Sequence, residues 1–198
     1  MEPIGDTRQR IIDAASQVIA SEGESSLRLR DVAAMVGIAE PSLYYYFANR
    51  EELITASNAE RYRRSIAVIG PFVAGVGHAT NKAEFVDAVK RTYESAFLPE
   101  RRAARALRAE LIGSAIYRPD LYEQISEMTR QALDDGVKVL RTAQENGWLR
   151  ADIDPEAFCL WIMAHMSSII YAEMRNDERL LLEFKKIGHE AVAAFLKD

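Results

Sequence analysis

The sequence predicts an all-α protein of about nine helices. Apolar residues recur at helical spacing along most of the 198 residues, whereas the apolar-polar alternation of a half-buried strand is nearly absent. Residues 70–81 contain several glycines and a proline, which predict a loop between two regions. We therefore expect a three-helix N-terminal domain at 1–50, a connecting fourth helix at about 50–69 and a larger helical bundle at 70–198.

The composition is that of an ordinary globular protein, with 48% hydrophobic and 28% charged residues. We expect no signal peptide, because residues 1–10 are polar. We expect no membrane span either, because the longest apolar run, 157–172, is shorter than ~20 residues and contains His165. The single cysteine, Cys159, fits a reducing cytoplasm and is expected to be a small buried hydrophobe rather than a reactive thiol.

The charge distribution bears on any nucleic-acid partner. The net charge is −5, and residues 1–60 hold five Arg and no Lys against ten Asp or Glu, while the remainder balances at twenty against twenty. A general basic footprint is therefore missing. The stretch 28–64 contains six Arg against five acids, so individual side chains and helix N-termini could still bind phosphate.

The first helix is predicted by an apolar stripe at helical spacing. Its members are Ile11, Ile12, Ala15, Val18 and Ile19. Asp6 and Thr7 offer N-cap chemistry before this stripe, and Gly23 is expected to end the helix.

Two short helices follow, and their spacing predicts a helix-turn-helix. The apolar seam between them is expected to comprise Val32, Ala33, Val36, Leu43 and Phe47. Gly37 is suited to end the first of the two helices, because glycine adopts a left-handed conformation without steric cost. The second starts near Glu40, with Pro41 at a helix-start position.

The exposed face of this second helix carries residue types that contact DNA. These are Glu40, Pro41, Ser42, Tyr44, Tyr45 and Tyr46. Three consecutive tyrosines span about 200° of a helix, so they cannot all belong to one core. Tyrosine hydroxyls and arginines commonly contact phosphate, and Arg28 and Arg30 could also reach a guanine edge. Glu40 would repel phosphate but could accept a hydrogen bond from cytosine.

The same segment resembles the TetR family of repressors. The matching stretches are residues 29–33 (LRDVA), 36–38 (VGI), 42–47 (SLYYYF) and 49–53 (NREEL). They occur in the family's order after an amphipathic first helix and cover about a quarter of the chain. A second, weaker resemblance lies near the C-terminus, where residues 147–150 (GWLR) followed by 154–156 (DPE) are similar to the family's approach to its eighth helix.

The resemblance implies a bacterial DNA-binding repressor, active as a homodimer on a double-stranded operator and released by a small molecule. It implies DNA contacts for the following residues: Arg30, Glu40, Pro41, Ser42, Tyr44 and Tyr46. Arg50 takes the place of the family's usual lysine, where it would meet phosphate. Arg28 and Ala39 replace the family's frequent helix-capping Thr and Ser, which could cost about 1 kcal/mol each in local helix stability.

The C-terminal part is predicted to contain five further helices, at about 82–97, 100–115, 119–146, 155–175 and 178–196. The apolar helix containing 157–172 is expected to be buried on every side. The resemblance implies that the last two helices form a dimer interface. The resemblance also implies a small-molecule effector, for which the candidate binding residues are Tyr93, Phe97, Tyr117, Trp161 and His165, although any one of them taken singly fits ordinary core better.

An enzyme is the main competing class, and the sequence does not favour it. None of the three histidines has the glutamate three residues earlier that di-metal bundles use, and no P-loop, Gly-x-Ser-x-Gly or cysteine cluster occurs. We therefore expect no catalytic residues, metal or cofactor. An alternative within the DNA-binding class is a helix-turn-helix protein without a small ligand, regulated by a protein partner. A C-terminal core without a cavity would favour that alternative.

Overall fold

The computed structural model describes residues 4–67 and 70–196, and these residues form ten α-helices and no strand. The helices are α1 (Ile4–Glu22), α2 (Leu29–Val36), α3 (Glu40–Leu43), α4 (Arg50–Ile66), α5 (Gly70–Gly77), α6 (Lys82–Ser95), α7 (Arg102–Ala115), α8 (Pro119–Glu145), α9 (Pro155–Met174) and α10 (Glu178–Phe195). Short 3-10 turns occur at Glu24–Ser26 and Pro99–Arg101. The all-α prediction is confirmed, with ten helices where about nine were expected.

The prediction of a loop at residues 70–81 was wrong, because α5 occupies Gly70–Gly77. A proline as the second residue of a helix costs no intrahelical hydrogen bond, so Pro71 does not oppose this helix. Val76 and Ala79 pack against the C-terminal core, and this burial outweighs the low helix propensity of glycine. Only the short stretch before α6 remains a loop, and it ends at Asn81, whose Oδ1 accepts a hydrogen bond from the Glu84 N–H at 3.0 Å.

The ends of α1 and α4 differ from the predicted bounds. Helix α1 already includes Ile4, so Asp6 and Thr7 lie inside it and the prediction that they cap it was wrong. Gly23 follows the helix as predicted, with φ of 83°. Helix α4 ends at Ile66 rather than near residue 69, and residues 68–69 lie outside the described part of the chain.

The described residues divide into two compact units. The N-terminal unit contains the chain up to Arg64 together with Leu111–Ile125, which is the end of α7 and the start of α8. The C-terminal unit contains Ser65–Glu110 and the chain from Ser126 onward.

The core of the N-terminal unit joins α1, α2 and the segment that follows it. Its fully buried members include Ile11, Ala15, Leu27, Val32, Leu43 and Leu53. Ala33 and Val36 from α2 and Phe47 after α3 belong to the same cluster, as the predicted seam requires. Gly37 ends α2 with φ of 75°, and its N–H donates to the carbonyls of Ala33 and Ala34.

The C-terminal unit is built around α6, α8, α9 and α10. Its buried cluster contains Phe85, Tyr93, Val137, Leu140, Phe158 and Val192. Asp154 and Asp177 start α9 and α10, because their carboxylates accept hydrogen bonds from the N–H groups of Ala157 and Leu180. Cys159 is buried between helices, and this burial raises the pKa of its thiol.

Helix α9 is not buried on every side, so that prediction was wrong. Phe158 and Ile169 are buried, whereas an apolar part of the helix surface is exposed in the single chain. The exposed members are Leu160, Trp161, Tyr171 and Met174. With 20 residues, α9 is also the one helix among the described residues that is long and apolar enough to cross a membrane by length and composition. The argument from run length alone therefore does not exclude a span.

Candidate nucleic-acid interface

The recognition segment begins with α3, which is only four residues long. Ala39, the residue before it, has extended backbone and makes no side-chain cap, while Pro41 occupies the first turn. Leu43 is buried and anchors the segment to the core. The chain then continues as a turn, in which the Phe47 N–H donates to the Leu43 carbonyl at 2.9 Å and Phe47 is buried again.

The anchoring of Leu43 and Phe47 directs the intervening side chains outward. Glu40, Pro41 and Ser42 are exposed, as are the rings of Tyr44 (54%) and Tyr45 (73%). These exposed groups combine a carboxylate, hydroxyls and aromatic rings, which can contact both phosphates and base edges.

Tyr46 differs from its two neighbours. It is half-buried and packs against the core of the N-terminal unit. Its ring meets that of Tyr45 edge-on, with centroids 5.2 Å apart. The three tyrosines lie in the turn after α3 rather than in the helix, and two of their rings are exposed while the third supports them.

The start of α2 contributes two arginines to the same surface. Arg28 precedes the helix in extended conformation, and its Nη1 donates to the Ser25 carbonyl at 2.6 Å. The Arg30 side chain is 78% exposed and pairs with Asp31 at 3.1 Å. An open depression of about 420 Å³ brings Arg28 and Arg30 together with Glu40 and Arg50. Four of the predicted contact residues thus share one concave surface.

Arg50 has a structural role in addition to its predicted one. Its Nε donates to the Leu27 carbonyl at 3.0 Å, its Nη2 donates to the Glu24 carbonyl, and its Nη1 pairs with Glu51 at 2.8 Å. The guanidinium therefore ties the start of α4 to the segment before α2. Only donors left over from these bonds are available to a phosphate.

One exposed arginine near this surface was missed by sequence reasoning. Arg8 of α1 places its guanidinium over the Phe47 ring, 4.8 Å from the centroid. No local motif marks Arg8, because its neighbour lies 39 residues along the chain. The one available signal was its spacing, because Arg8 lies one helical turn before Ile11 and Ile12 on the same face of α1.

Several acids of the N-terminal unit are paired internally. Hydrogen bonds from Arg63, and then from Arg64, lower the pKa of Glu60, and Arg64 also pairs with Asp13. Arg118 lowers the pKa of Glu24 in the same way. Part of the acid excess counted in the sequence is therefore neutralised inside the unit, which leaves less of it to oppose DNA phosphates.

Four of the five candidate effector-binding residues lie together in the C-terminal unit. The ring of His165 stacks on Tyr93 and Trp161, with centroids 5.8 and 5.5 Å away, and Phe97 lies 5.3 Å from Tyr93. Burial lowers the pKa of His165 and raises the pKa of Tyr93 to about 12, so both side chains are neutral at pH 7.

The fifth candidate, Tyr117, does not join this aromatic cluster. It is 86% exposed and belongs to the segment 111–125 of the N-terminal unit. A separate cleft of about 150 Å³ in the C-terminal unit is lined by Val76, Phe85, Lys138 and Trp148, among others. Within the described ranges, no three His, Cys, Asp or Glu side chains are grouped so that they could hold a metal ion.

Comparison with known proteins agrees with this geometry. The sequence profile of the family described as "Bacterial regulatory proteins, tetR family" matches residues 11–56. The "HTH-type transcriptional regulator UidR" of Escherichia coli (strain K12) is 24% identical over 148 residues, which are 75% of this chain and 71% of UidR. The "HTH-type nicotine-responsive transcriptional repressor HdnoR" of Paenarthrobacter nicotinovorans is 34% identical over 70 residues, 35% of this chain and 36% of HdnoR.

The fold is also shared with solved structures. The crystal structure of a TetR-family transcriptional regulator from Cytophaga hutchinsonii superposes with a TM-score of 0.73 at 16% identity, covering 100% of both chains. An exposed recognition segment held on a small helical core is the arrangement by which helix-turn-helix proteins contact DNA. Residues 11–56 match the TetR-family profile, and over most of its length the chain is similar to TetR-family transcriptional regulators in sequence and fold. These relatives are transcriptional regulators, in agreement with the expectation that the chain is not an enzyme.

Proposed function

We propose that the protein is a cytoplasmic repressor that binds a near-palindromic operator as a homodimer and leaves it when a small molecule binds. The observation that carries the DNA-binding part is the outward face of α3 and the following turn. There, Glu40, Ser42 and Tyr44 are exposed, while buried Leu43 and Phe47 hold them in place. We divide the chain into a DNA-binding domain at 1–50, the connecting α4, and an effector and dimerisation domain at 70–198.

The contacts divide into two kinds. Tyr44, Tyr45 and Tyr46 are assigned to the phosphate backbone, because phenol hydroxyls hold register without reading sequence. Arg30, Glu40 and Ser42 are assigned to base edges, with Pro41 shaping the helix start. Arg28 and Arg50 complete the phosphate contacts from the depression they share.

The proposed dimer rests on the apolar surface that the single chain leaves exposed on α9 and α10. Its large members are Leu160, Trp161, Tyr171, Met174, Leu182 and Ile187. Exposed apolar surface on this scale marks an interaction site, and we assign it to a second copy rather than to a membrane. Two copies would place two recognition helices about 34 Å apart, one turn of DNA, which a near-palindromic operator matches.

The proposed effector site is the aromatic cluster of Tyr93, Phe97, Trp161 and His165. The separate cleft of about 150 Å³ is not lined by these residues and is smaller than the ~300 Å³ at which ligand pockets begin, so effector binding at the cluster would require the cluster to open. A coupling of about 1–3 kcal/mol between effector and operator is enough for a useful switch. The name of HdnoR describes it as nicotine-responsive, which supports an effector of small-molecule class here.

A second candidate is favoured by the close packing of this cluster. Gly188 leaves no room for a side chain between α10 and the Tyr93–His165 pair. A core this tightly filled also suits a regulator that responds to a protein partner instead of a small molecule.

Footprinting of the purified protein on its own chromosome tests the DNA-binding proposal and yields the operator. Anisotropy titrations then compare Tyr44→Ala, Ser42→Ala and Arg30→Ala on operator and random duplexes. Tyr44→Ala should weaken both complexes, whereas the other two should reduce the preference for the operator. Equal losses on both duplexes for all three variants would contradict the division of contacts.

Fractionated cytosol of the host separates the two modes of regulation. Release of the operator complex by the dialysable fraction supports a small-molecule effector. Release by the retained protein fraction alone supports the partner-regulated candidate and excludes the effector proposal.

A further inference from the structure

Glu24 connects three parts of the N-terminal unit that are distant in sequence. Its carboxylate accepts hydrogen bonds from Arg118 Nη1 and Nη2 at 2.8 and 2.6 Å, and from Asn58 Nδ2 at 2.7 Å. Asn58, which is fully buried in α4, accepts in turn from Arg61 Nη1 at 2.9 Å. A bidentate arginine–carboxylate pair of this kind fixes the relative orientation of the two side chains as well as their distance.

The residues after Glu24 lead directly into the DNA-binding surface. Glu24 begins the turn Glu24–Ser26, and Arg28 and the first residues of α2 follow it. Arg50 holds the backbone of this segment through the carbonyls of Glu24 and Leu27, while Arg118 and Asn58 hold its side chain. The segment is therefore restrained from two sides.

The start of α2 is held by the burial of Leu27 and Val32 but has no side-chain cap. Arg28 makes no side-chain cap on the helix, and Gly23, just before the turn, has φ of 83° and no side chain to pack. The way in which Glu24 is held is therefore one restraint on the direction in which α2 leaves the turn, together with the burial of Leu27 and Val32. Arg28 and Arg30, at the first positions of α2, move with it.

Arg118 also changes the local charge. Glu24 alone would place a carboxylate a few residues from Arg28 and Arg30, the two arginines of this segment that are proposed to contact DNA. The hydrogen bonds from Arg118 are the largest of the effects that lower the pKa of Glu24, so the carboxylate is ionised and compensated at neutral pH. Arg118 lies 94 residues from Glu24 along the chain. It adds a positive charge next to a segment, residues 1–60, in which acidic residues outnumber basic ones.

We propose that Arg118 and Glu24 are positioning residues for operator binding: their ion pair orients the start of α2 and its arginines toward the DNA. The inference rests on the proposed operator-binding function. The turn that carries Arg118 joins α7 and α8, and both helices continue beyond the N-terminal unit. Arg118 is covalently continuous with the rest of the chain through α7 and α8, so the ion pair also gives that part of the chain a means to bias DNA binding.

The test uses the full-length protein, the footprinted operator and a random duplex, with affinities measured by anisotropy. Arg118→Met should weaken operator binding about tenfold, within the range of typical coupling energies, and random-duplex binding much less. The matched control is Arg130→Met, which removes an arginine from an exposed α8 pair with Glu127. It should leave both affinities within about twofold of wild type.

Further variants separate positioning from loss of folding. Glu24→Gln and the double variant with Arg118→Met should show non-additive losses, because both remove the same interaction. The charge exchange Glu24→Arg with Arg118→Glu should recover part of the operator preference. Amide exchange at residues 28–32 should be faster in Arg118→Met, with the helix content and melting of the protein otherwise retained.

Each outcome bears on a different statement. If Arg118→Met remains folded and binds the operator as tightly as Arg130→Met does, the positioning role is wrong. If Arg118→Met loses operator and random DNA equally while the charge exchange recovers neither, the residue has only a structural role, which also overturns the inference. If the wild-type protein selects no site on its chromosome, the proposed function fails instead.

Discussion

The hydroxyl of Tyr93 lies 3.1 Å from Nε2 of His165 and 3.1 Å from the backbone carbonyl of Lys185. A tyrosine hydroxyl has one proton and a carbonyl can only accept, so Tyr93 donates to Lys185. Nε2 of His165 must then carry the proton that it donates to Tyr93. Gly188 lies directly against this pair, and a Cβ at that position would overlap both the Tyr93 oxygen and the His165 ring.

Gly188→Ala should therefore destabilise the C-terminal unit by about 1–3 kcal/mol, the usual cost of overpacking a core. Gly113→Ala is the matched control, because Gly113 is also helical but has open space where its Cβ would lie. That substitution should be neutral or stabilising by up to about 1 kcal/mol. Denaturant unfolding of the two variants measures both effects, and equal stability of Gly188→Ala and wild type would contradict the packing described.

The buried ion pair between Arg105 and Glu173 gives a second prediction. Arg105 of α7 also donates to the Ala96 carbonyl, and its side chain is almost completely buried. Arg105→Met should cost about 3–5 kcal/mol, because it leaves a buried carboxylate without its partner. The double variant Arg105→Met, Glu173→Met should be more stable than the single variant. A double variant less stable than Arg105→Met alone would show that the charge of Glu173 is compensated elsewhere.

The stability of the C-terminal unit should decrease in mild acid because of His165. Burial lowers the folded-state pKa of His165 below its ordinary value of 6.5. Between these two pKa values the unfolded chain binds a proton at His165 that the folded chain does not. The contribution of neutral His165 to stability is therefore fully present above pH 6.5 and is lost as the pH falls from 6.5 toward the folded-state pKa.

Melting temperatures measured from pH 7.5 to 5 check this expectation. His165→Gln keeps an N–H that can donate to Tyr93 but cannot be protonated, so the dependence on pH should become shallower. His78→Gln, at an exposed position, should retain the wild-type dependence. The same slope in His165→Gln and wild type would assign the acid sensitivity to other groups.

Arg50 and Arg30 should respond differently to removal of their side chains. Arg50→Ala removes its two hydrogen bonds to the Leu27 and Glu24 carbonyls, which keep only Arg28 Nη1 and the Leu27 N–H as donors. It should lower stability by about 1–3 kcal/mol, besides weakening DNA binding. Arg30→Ala removes a largely exposed side chain and should change stability by less than about 0.5 kcal/mol. Thermal melting and anisotropy on the same samples separate the two. A large loss of stability in Arg30→Ala would contradict its assignment to the DNA surface.

Local patterns were sufficient to predict the helix-turn-helix. Val32, Ala33 and Val36 are buried, Gly37 ends α2, and Pro41 lies in the first turn of α3, as the spacing indicated. These features depend on neighbours within a turn or two, which is the range over which periodicity and capping operate. The contact roles of the exposed residues stay predictions, because exposure alone does not identify what a side chain binds.

The sequence by itself determined most of the helical segments and which of their faces are apolar. Only the tertiary structure decided what lies against those faces: it made 70–77 a helix, left much of α9 exposed and separated Tyr117 from Tyr93. It also joined Arg118 to Glu24, 94 residues apart, and brought His165 against the buried Tyr93. The physical reason is that periodicity records the side of a helix that avoids water, whereas the partner on that side depends on how distant segments pack.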